Sequence, residues 1–147
     1  MTRNTILLVA ALAGVTATVS GCDILNPPTP EEARVLIEGT PDTRVQLITS
    51  TRFASGVDAG GVTRVVVIAA DTTHPTLPFQ GTYRIRGDQR FLAVTSMADV
   101  EQPNIRMQVF VDRSREFDRG GPLTEGVFYR FVYTFNQNVT SVIEIVF

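Results

Sequence analysis

Few residues in this chain of 147 amino acids could do metal or acid–base chemistry. The sequence has one cysteine, Cys22, and one histidine, His74. His74 and the nearby carboxylate of Asp71 would supply two metal ligands, whereas a stable Zn²⁺ site needs at least three from the protein. We therefore interpret His74 as a solvated loop histidine, with Asp71 capping a turn, and we expect no metal and no other cofactor.

The densest group of charges lies in residues 112–124, DRSREFDRGGPLT. Asp112, Glu116 and Asp118 could offer oxygens to Ca²⁺, but the segment lacks the alternating carboxylates of a calcium-binding loop. Its arginines favour mutual ion pairs instead. We predict a long hairpin loop that could form an interaction surface, because loops on a rigid scaffold often carry function. The charged residues of this predicted interaction loop are Arg113, Arg115, Glu116, Asp118 and Arg119.

Motifs of nucleophilic catalysis are missing from the sequence. It contains no Gly-x-Ser-x-Gly, no Ser-x-x-Lys and no second Cys, and its 13 basic residues are all arginine, which excludes a lysine Schiff base. A carboxylate-dependent hydrolase is the least favoured function, and we expect no enzyme. The formal net charge of -2 also argues against a nucleic-acid partner.

The elements that would position these side chains are β-strands. The chain contains 19 Val, 18 Thr and 9 Ile, and β-branched side chains favour strands. Apolar residues recur at every second position in several segments, as in strands with one buried face. The rows are 45–53, 105–111, 127–135 and 139–147, with 63–70 apolar on both faces and shorter candidates at 34–38, 82–86 and 90–95.

These segments, separated by turns rich in Gly, Pro and Asn at intervals of about 10 to 15 residues, predict an all-β domain of about eight strands. We predict an antiparallel two-sheet sandwich, immunoglobulin-like or transthyretin-like, with a small closed β-barrel as the alternative. Single helical turns are predicted at residues 29–32 and 96–103.

The alternation also predicts which faces are buried. One face of the first long row carries Val45, Leu47, Thr49, Thr51 and Phe53, and one face of another carries Tyr129, Phe131, Tyr133 and Phe135. Both are expected to be core. Phe110 and Phe128 break the alternation on the opposite faces, which indicates a covered or partner-contacting surface.

The N-terminal segment has the organisation of an export signal. Arg3 precedes an apolar run at residues 6–15, which is long enough for a signal peptide and too short to span a bilayer. Val19-Ser20-Gly21-Cys22 follows, and here the sequence resembles the bacterial lipoprotein precursors. Their lipobox is an aliphatic residue, a small residue, Gly or Ala, and then Cys. The resemblance implies signal peptidase II cleavage between Gly21 and Cys22, a diacylglyceryl thioether on Cys22, and acylation of the new amino terminus.

Three segments follow from this interpretation: a lipoprotein signal peptide at 1–21, a lipidated Cys with a Pro-rich tether at 22–33, and a β-sandwich domain at 34–147. Three prolines within residues 27–30 favour an extended tether. In some bacteria an Asp after the lipidated Cys retains a lipoprotein in the inner membrane. Asp23 stands at that position, and the choice between inner and outer membrane stays open.

Taken together, the sequence predicts a protein of the bacterial cell envelope that is held by lipid and faces outside the cytoplasm. We expect a non-catalytic binding or structural module that contacts the membrane through Cys22 and an envelope protein through its folded domain. The alternative is a small-ligand carrier with an apolar cavity between the sheets or inside a barrel.

Overall fold

A computed structural model describes residues 29–87, 89–98, 102–134, 137–139 and 143–147. The lipobox, Cys22 and most of the predicted tether lie outside the described residues. Within them the chain forms strands and no helix. The strands are β1 Glu32–Gly39, β2 Val45–Val57, β3 Thr63–Thr73, β4 Phe79–Arg84, β5 Arg90–Met97, β6 Asn104–Val111, β7 Ser114–Pro122, β8 Tyr129–Thr134, β9 Gln137–Asn138 and β10 Ile143–Val146.

The strands form two sheets. A four-stranded sheet has the order β4-β1-β6-β7, and a six-stranded sheet has the order β10-β3-β2-β5-β8-β9. Neighbouring strands pair antiparallel, except that β10 pairs parallel with β3. The predicted all-β fold with two packed sheets is confirmed, and the six-stranded sheet curls like half a barrel.

A first core fills the space between the two sheets. The four-stranded sheet contributes alternate residues such as Val35 and Met107, and the six-stranded sheet contributes Leu47, Phe91 and Phe131. All five side chains are fully buried or nearly so. The predicted aromatic face is confirmed where it is described: Phe131 and Tyr133 are buried, and Tyr129 packs against the same core. Phe135 lies outside the described residues.

A second core lies on the outer face of the six-stranded sheet, the face that points away from the other sheet. Strand β5 is buried on both sides, because Phe91 and Ala93 enter the first core while Leu92 and Val94 enter the second. Successive strand residues point to opposite faces, so this division requires cover on both sides of the sheet. The buried members of the second core are Phe53, Val65, Leu92, Val94 and Val132.

A bulge in β2 divides this strand between the two cores. Val45 and Leu47 point into the first core, but Phe53 points into the second. The pairing of β2 with β3 shifts register between Thr49 and Arg52 and again before Phe53. An extra residue in a strand reverses the faces of all that follow. The prediction that Phe53 shares a face with Val45 is therefore wrong.

The predicted interaction loop is wrong as a loop, because most of residues 112–124 form strand β7. Asp112 and Arg113 make a two-residue turn, and β7 then pairs with β6 at the edge of the four-stranded sheet. The turn places Asp112 in the left-handed region of φ, which Asp tolerates. Strand β7 was not recognised in the sequence because this edge strand is mostly polar and shows no clear alternation of apolar and polar residues.

The Asp112 carboxylate binds the backbone at the start of β1. The backbone φ of Asp112 is 50°. Asp112 Oδ1 accepts hydrogen bonds from the backbone N–H groups of Glu31, at 3.0 Å, and Glu32, at 3.1 Å. Residues 29–31 have no regular secondary structure and Glu32 begins β1, so the helical turn predicted at residues 29–32 is wrong.

Two further predictions need correction. Segment 63–70 does pair on both sides, with β2 and β10, but its faces are not both buried: Val66 is 44% exposed and Ile68 is 65% exposed. The four-stranded sheet does not cover this part of β3. Of the helical turn predicted at 96–103, Ser96 and Met97 end β5 instead, and residues 99–101 lie outside the described residues.

Candidate functional site

A groove with a volume of ≈ 170 Å³ opens on the outer face of the six-stranded sheet. Its floor belongs to the second core, because Ile48, Val94 and Ile145 contribute to both. The groove is therefore an open end of that core. Its described lining residues are Gln46, Ile48, Val94, Ser96, Phe128, Arg130, Ile145 and Phe147.

The register of three neighbouring strands places the floor of the groove. Ile48 of β2 lies opposite Val94 of β5, and Val94 lies opposite Arg130 of β8. Gln46 lies opposite Ser96 in a parallel row, and the Ser96 hydroxyl donates to Gln46 Oε1 at 3.0 Å. Side chains that face each other across paired strands are close enough to form one continuous surface.

The apolar rim of the groove comes from two separate parts of the chain. Phe128 lies just before β8, and Phe147 lies just after β10, which joins the sheet at its far side through β3. Because the sheet curls, these distant strands line one groove. Phe128 is 50% exposed and Phe147 is 65% exposed. These two large apolar side chains therefore form an exposed rim around a concave apolar floor.

The charge of the groove comes from Arg130, which is the only charged residue among its described lining residues. Gln46 and Ser96 add neutral polar groups. The guanidinium group offers hydrogen-bond donors and no acceptor, and it stays charged at any physiological pH. The arrangement can therefore hold an apolar group, and among its described lining residues no nucleophile lies beside a His or carboxylate that could act as a base.

The residues first considered for metal chemistry do not assemble into a site. His74 is exposed in the loop that follows β3, and Asp71 is exposed near the end of that strand. In the described part of the chain, no group of three or more His, Cys, Asp or Glu residues could hold a metal ion. Within the same ranges, no helix is long and apolar enough to cross a membrane.

The charged hairpin forms ion pairs on the outer face of the four-stranded sheet. Arg106 of β6 donates two hydrogen bonds of 2.7 Å to the Asp118 carboxylate, and Gln108 donates a third at 3.0 Å. Arg115 lies 3.2 Å from the same carboxylate. Hydrogen bonds from Arg106 and then from Gln108 lower the pKa of Asp118 far below its usual range. Asp118 also raises the pKa of Arg106.

The five residues of the predicted interaction loop are thus only partly brought together. Arg115 and Asp118 form a pair, which confirms mutual pairing for these two. Arg106 on the preceding strand is the closer partner of Asp118, and no local pattern in the sequence indicates this contact. Arg113 lies exposed in the turn and Arg119 lies exposed on β7, whereas Glu116 is half-buried at an irregularity in the pairing of β6 with β7.

The two aromatic residues that break the alternation have different surroundings. Phe110 is half-buried, and the guanidinium carbon of Arg34 lies 4.6 Å from the centre of its ring. A cation over an aromatic face is a favourable contact that covers the ring within this domain. Phe128 instead remains half exposed at the groove. Of the two, Phe128 fits the predicted partner-contacting surface.

Most of the groove lining was missed by the sequence analysis. A usable signal was the run Phe91-Leu92-Ala93-Val94, which is apolar at successive positions and therefore indicates a strand that is covered on both faces. Comparison of the chain with protein-family models, curated proteins and solved structures finds no match. The class that the structure defines is an all-β sandwich with an exposed apolar groove, and the functional argument rests on that groove.

Proposed function

We propose that this chain is a lipid-anchored protein of the bacterial cell envelope and that its β-sandwich is a non-catalytic binding module. The lipobox at Val19 to Cys22 supports the anchor. The observation that supports binding is the groove, where Phe128 and Phe147 are exposed beside an apolar floor. Stable attachment needs two or more lipid chains, which the lipoprotein pattern supplies.

The partner that fits the groove best is another protein of the envelope. Pockets for free small molecules usually enclose about 300–1,000 Å³, and this groove of ≈ 170 Å³ is smaller. Pockets at protein interfaces commonly receive one anchoring side chain, and aromatic residues are enriched there. The first core occupies the space between the sheets, where the alternative, a small-ligand carrier, would need its cavity.

The anchor is tested by replacing the residue that would carry the lipid. Cys22→Ser should move the protein from the detergent phase to the aqueous phase and should abolish labelling by a fatty-acid analogue, because lipid attachment needs the thiol. Ser20→Ala is the matched control, since it keeps a small residue at that lipobox position and should leave both measurements unchanged. Labelling of the Cys22→Ser protein at the wild-type level would contradict the proposal.

Binding is tested by a photo-crosslinking amino acid at position 128 in living cells. The proposal expects a discrete adduct with an envelope protein, confirmed by the reciprocal crosslink from that partner. The same amino acid at Arg84, which is exposed on β4 of the other sheet, is the control and should give no such adduct. Failure to form an adduct at position 128 would contradict a binding role for the groove.

A further inference from the structure

We infer that the domain rests on the bilayer through an apolar projection, at the same end of the sandwich from which the proposed lipid anchor leaves. The projection consists of residues 54–57 of β2, the turn at 58–62, residues 63–66 of β3, and β10. This inference rests on the proposed anchor and adds a second membrane contact to it.

The projection lies at the end of the sandwich where the described chain begins. The Ile85 N–H donates to the Glu31 carbonyl at 2.9 Å. Strand β5 begins shortly afterwards at Arg90, whose guanidinium donates to the Phe53 carbonyl at 2.7 Å. Glu31 and Phe53 are therefore at the same end of the domain. Strand β2 continues beyond Phe53 as far as Val57, which adds about 13 Å at the usual rise of a strand.

The length of chain between the anchor and the domain brings this end close to the bilayer. Thr29, the first described residue, is seven positions after Cys22. Seven residues span at most about 25 Å, and a projection of about 13 Å covers much of that distance when this end faces the membrane. A protein partner here would have to enter the space between the domain and the bilayer. The lipid surface is therefore the occupant that fits.

Apolar side chains are exposed on the projection. Ala54, Val66 and Val146 lie opposite one another on three neighbouring strands and form a row, and Val57 lies at the end of β2. Val57 is 70% exposed, Val66 is 44% exposed and Val146 is 43% exposed. Contact of this row with the membrane interface removes apolar surface from water, which is favourable.

The charged groups of the projection have partners within it. Arg64, its only basic residue, lies on the same face as the apolar row, with its guanidinium 2.9 Å from the Glu144 carboxylate. In the turn, Asp58 Oδ1 accepts hydrogen bonds from the backbone N–H groups of Gly60, at 2.9 Å, and Val62, at 3.0 Å. These charges limit the contact to the headgroup region, and the pairing of Arg64 means that anionic lipid is not required.

The absence of tryptophan from the sequence provides a direct assay. Val57→Trp places a single indole at the end of β2. The lipid-carrying protein is assembled into phosphatidylcholine nanodiscs, with and without bromine on the acyl chains close to the headgroups. Bromine quenches an indole only when the two are in contact. Thr40→Trp is the matched control, because Thr40 is exposed just after β1, at the opposite end of the domain.

The expected result is that Val57→Trp loses about half of its fluorescence in brominated nanodiscs, since an indole at the interface lies at the headgroup level. Thr40→Trp should lose little. Adding Val66→Asp to Val57→Trp should reduce the quenching to that of Thr40→Trp, because a carboxylate opposes contact with lipid. Thr82→Asp, exposed on β4, should leave it unchanged. Thermal midpoints check the fold of each variant, and Val146→Ser is a milder second variant that should reduce the quenching in part.

Equal quenching at positions 57 and 40 would overturn the inference. Quenching at position 57 that neither Val66→Asp nor Val146→Ser reduces would overturn it too, because the introduced indole alone would then explain the contact. Quenching that requires phosphatidylglycerol and disappears at high salt would show binding through charge, which also contradicts an apolar contact.

A further result separates this inference from the proposed function. If fatty-acid labelling depends on Cys22 but the indole at position 57 is not quenched, the anchor stands and the membrane contact of the projection is wrong. If labelling does not depend on Cys22, the anchor and the inference that rests on it are both overturned.

Discussion

The outer faces of the two sheets differ in the contacts that their side chains make. On the four-stranded sheet, polar residues pair across strands, as Arg106 does with Asp118, and Arg34 covers Phe110. On the six-stranded sheet, apolar residues such as Phe53 form a second core. An antiparallel sheet with one solvated face shows alternation of polar and apolar residues, whereas a sheet covered on both faces does not. The cover here comes from the curled sheet itself.

The groove follows from this difference. The four-stranded sheet meets solvent with charged groups, of which Arg106, Arg115 and Asp118 pair with one another within the domain. The six-stranded sheet folds over its own apolar face but leaves one end of the second core open, between Phe128 and Phe147. A surface suited to binding therefore arises where the covering of an apolar face is incomplete, rather than where charges are densest.

The largest expected effect tests whether the second core is a true core. Phe53→Ala should lower the free energy of unfolding by about 3–5 kcal/mol, because Phe53 is fully buried and its removal leaves a cavity. The matched variant on the outer face of the other sheet, Phe110→Ala, should cost about 1 kcal/mol, since that ring is only half-buried. Chemical denaturation measures both. Equal losses for the two variants would remove the distinction between the faces.

An intermediate effect is expected at the bulge that sends β2 from one core to the other. The Ser50 hydroxyl donates to the Ala69 carbonyl at 2.6 Å and accepts from the Arg52 N–H at 3.0 Å. Ser50→Ala should lower the free energy of unfolding by about 1–3 kcal/mol, because two partly buried backbone groups lose a partner. Ser55→Ala, at an exposed position of the same strand, should change it by less than about 0.5 kcal/mol. A loss at Ser50 no larger than at Ser55 would mean that the hydroxyl does not support the bulge.

The smallest expected effect concerns the polar face. The pKa of Asp118 is lowered by its hydrogen bonds with Arg106 and Gln108, so its carboxylate stabilises the fold above the ordinary pKa of 3.8. This stabilisation is lost as the pH falls below that value towards the folded pKa. Asp118→Asn should therefore unfold slightly more easily than wild type at pH 7. The difference should shrink in acid, because below pH 3.8 the unfolded chain takes up the proton while the folded carboxylate stays ionised, which removes part of this stabilisation.

Thermal midpoints at pH 7 and pH 3, each at low and high salt, measure this effect. High salt should reduce the difference at pH 7, because the partners of Asp118 are about half exposed and their charges are screened. Glu125→Gln, at an exposed position outside this cluster, is the control and should show no such dependence. A difference between Asp118→Asn and wild type that stays constant from pH 7 to pH 3 would contradict the assignment.

Several features of the fold could be predicted from particular residues. The alternation through Ile105, Met107 and Val109 correctly gave one buried face of β6, and the row around Phe131 correctly gave an aromatic core face. Both patterns are local, because a strand shows its buried face at every second position. The charged strand β7 was missed, since an edge strand can satisfy its polar residues with solvent and with the neighbouring strand.

The groove depends on contacts that are distant in the chain. Gln46, Phe128 and Phe147 come together because the sheet curls and β10 joins it beside β3, while the bulge in β2 adds Phe53 to the second core beneath. None of these features leaves a periodic signal, since a single extra residue reverses a whole strand and the pairing of strands depends on the packing of the complete sheet. Composition and local alternation were thus sufficient for most of the strands and for the aromatic face of the first core. Long-range register and sheet curvature were needed to form the second core and the open end where we propose that a partner binds.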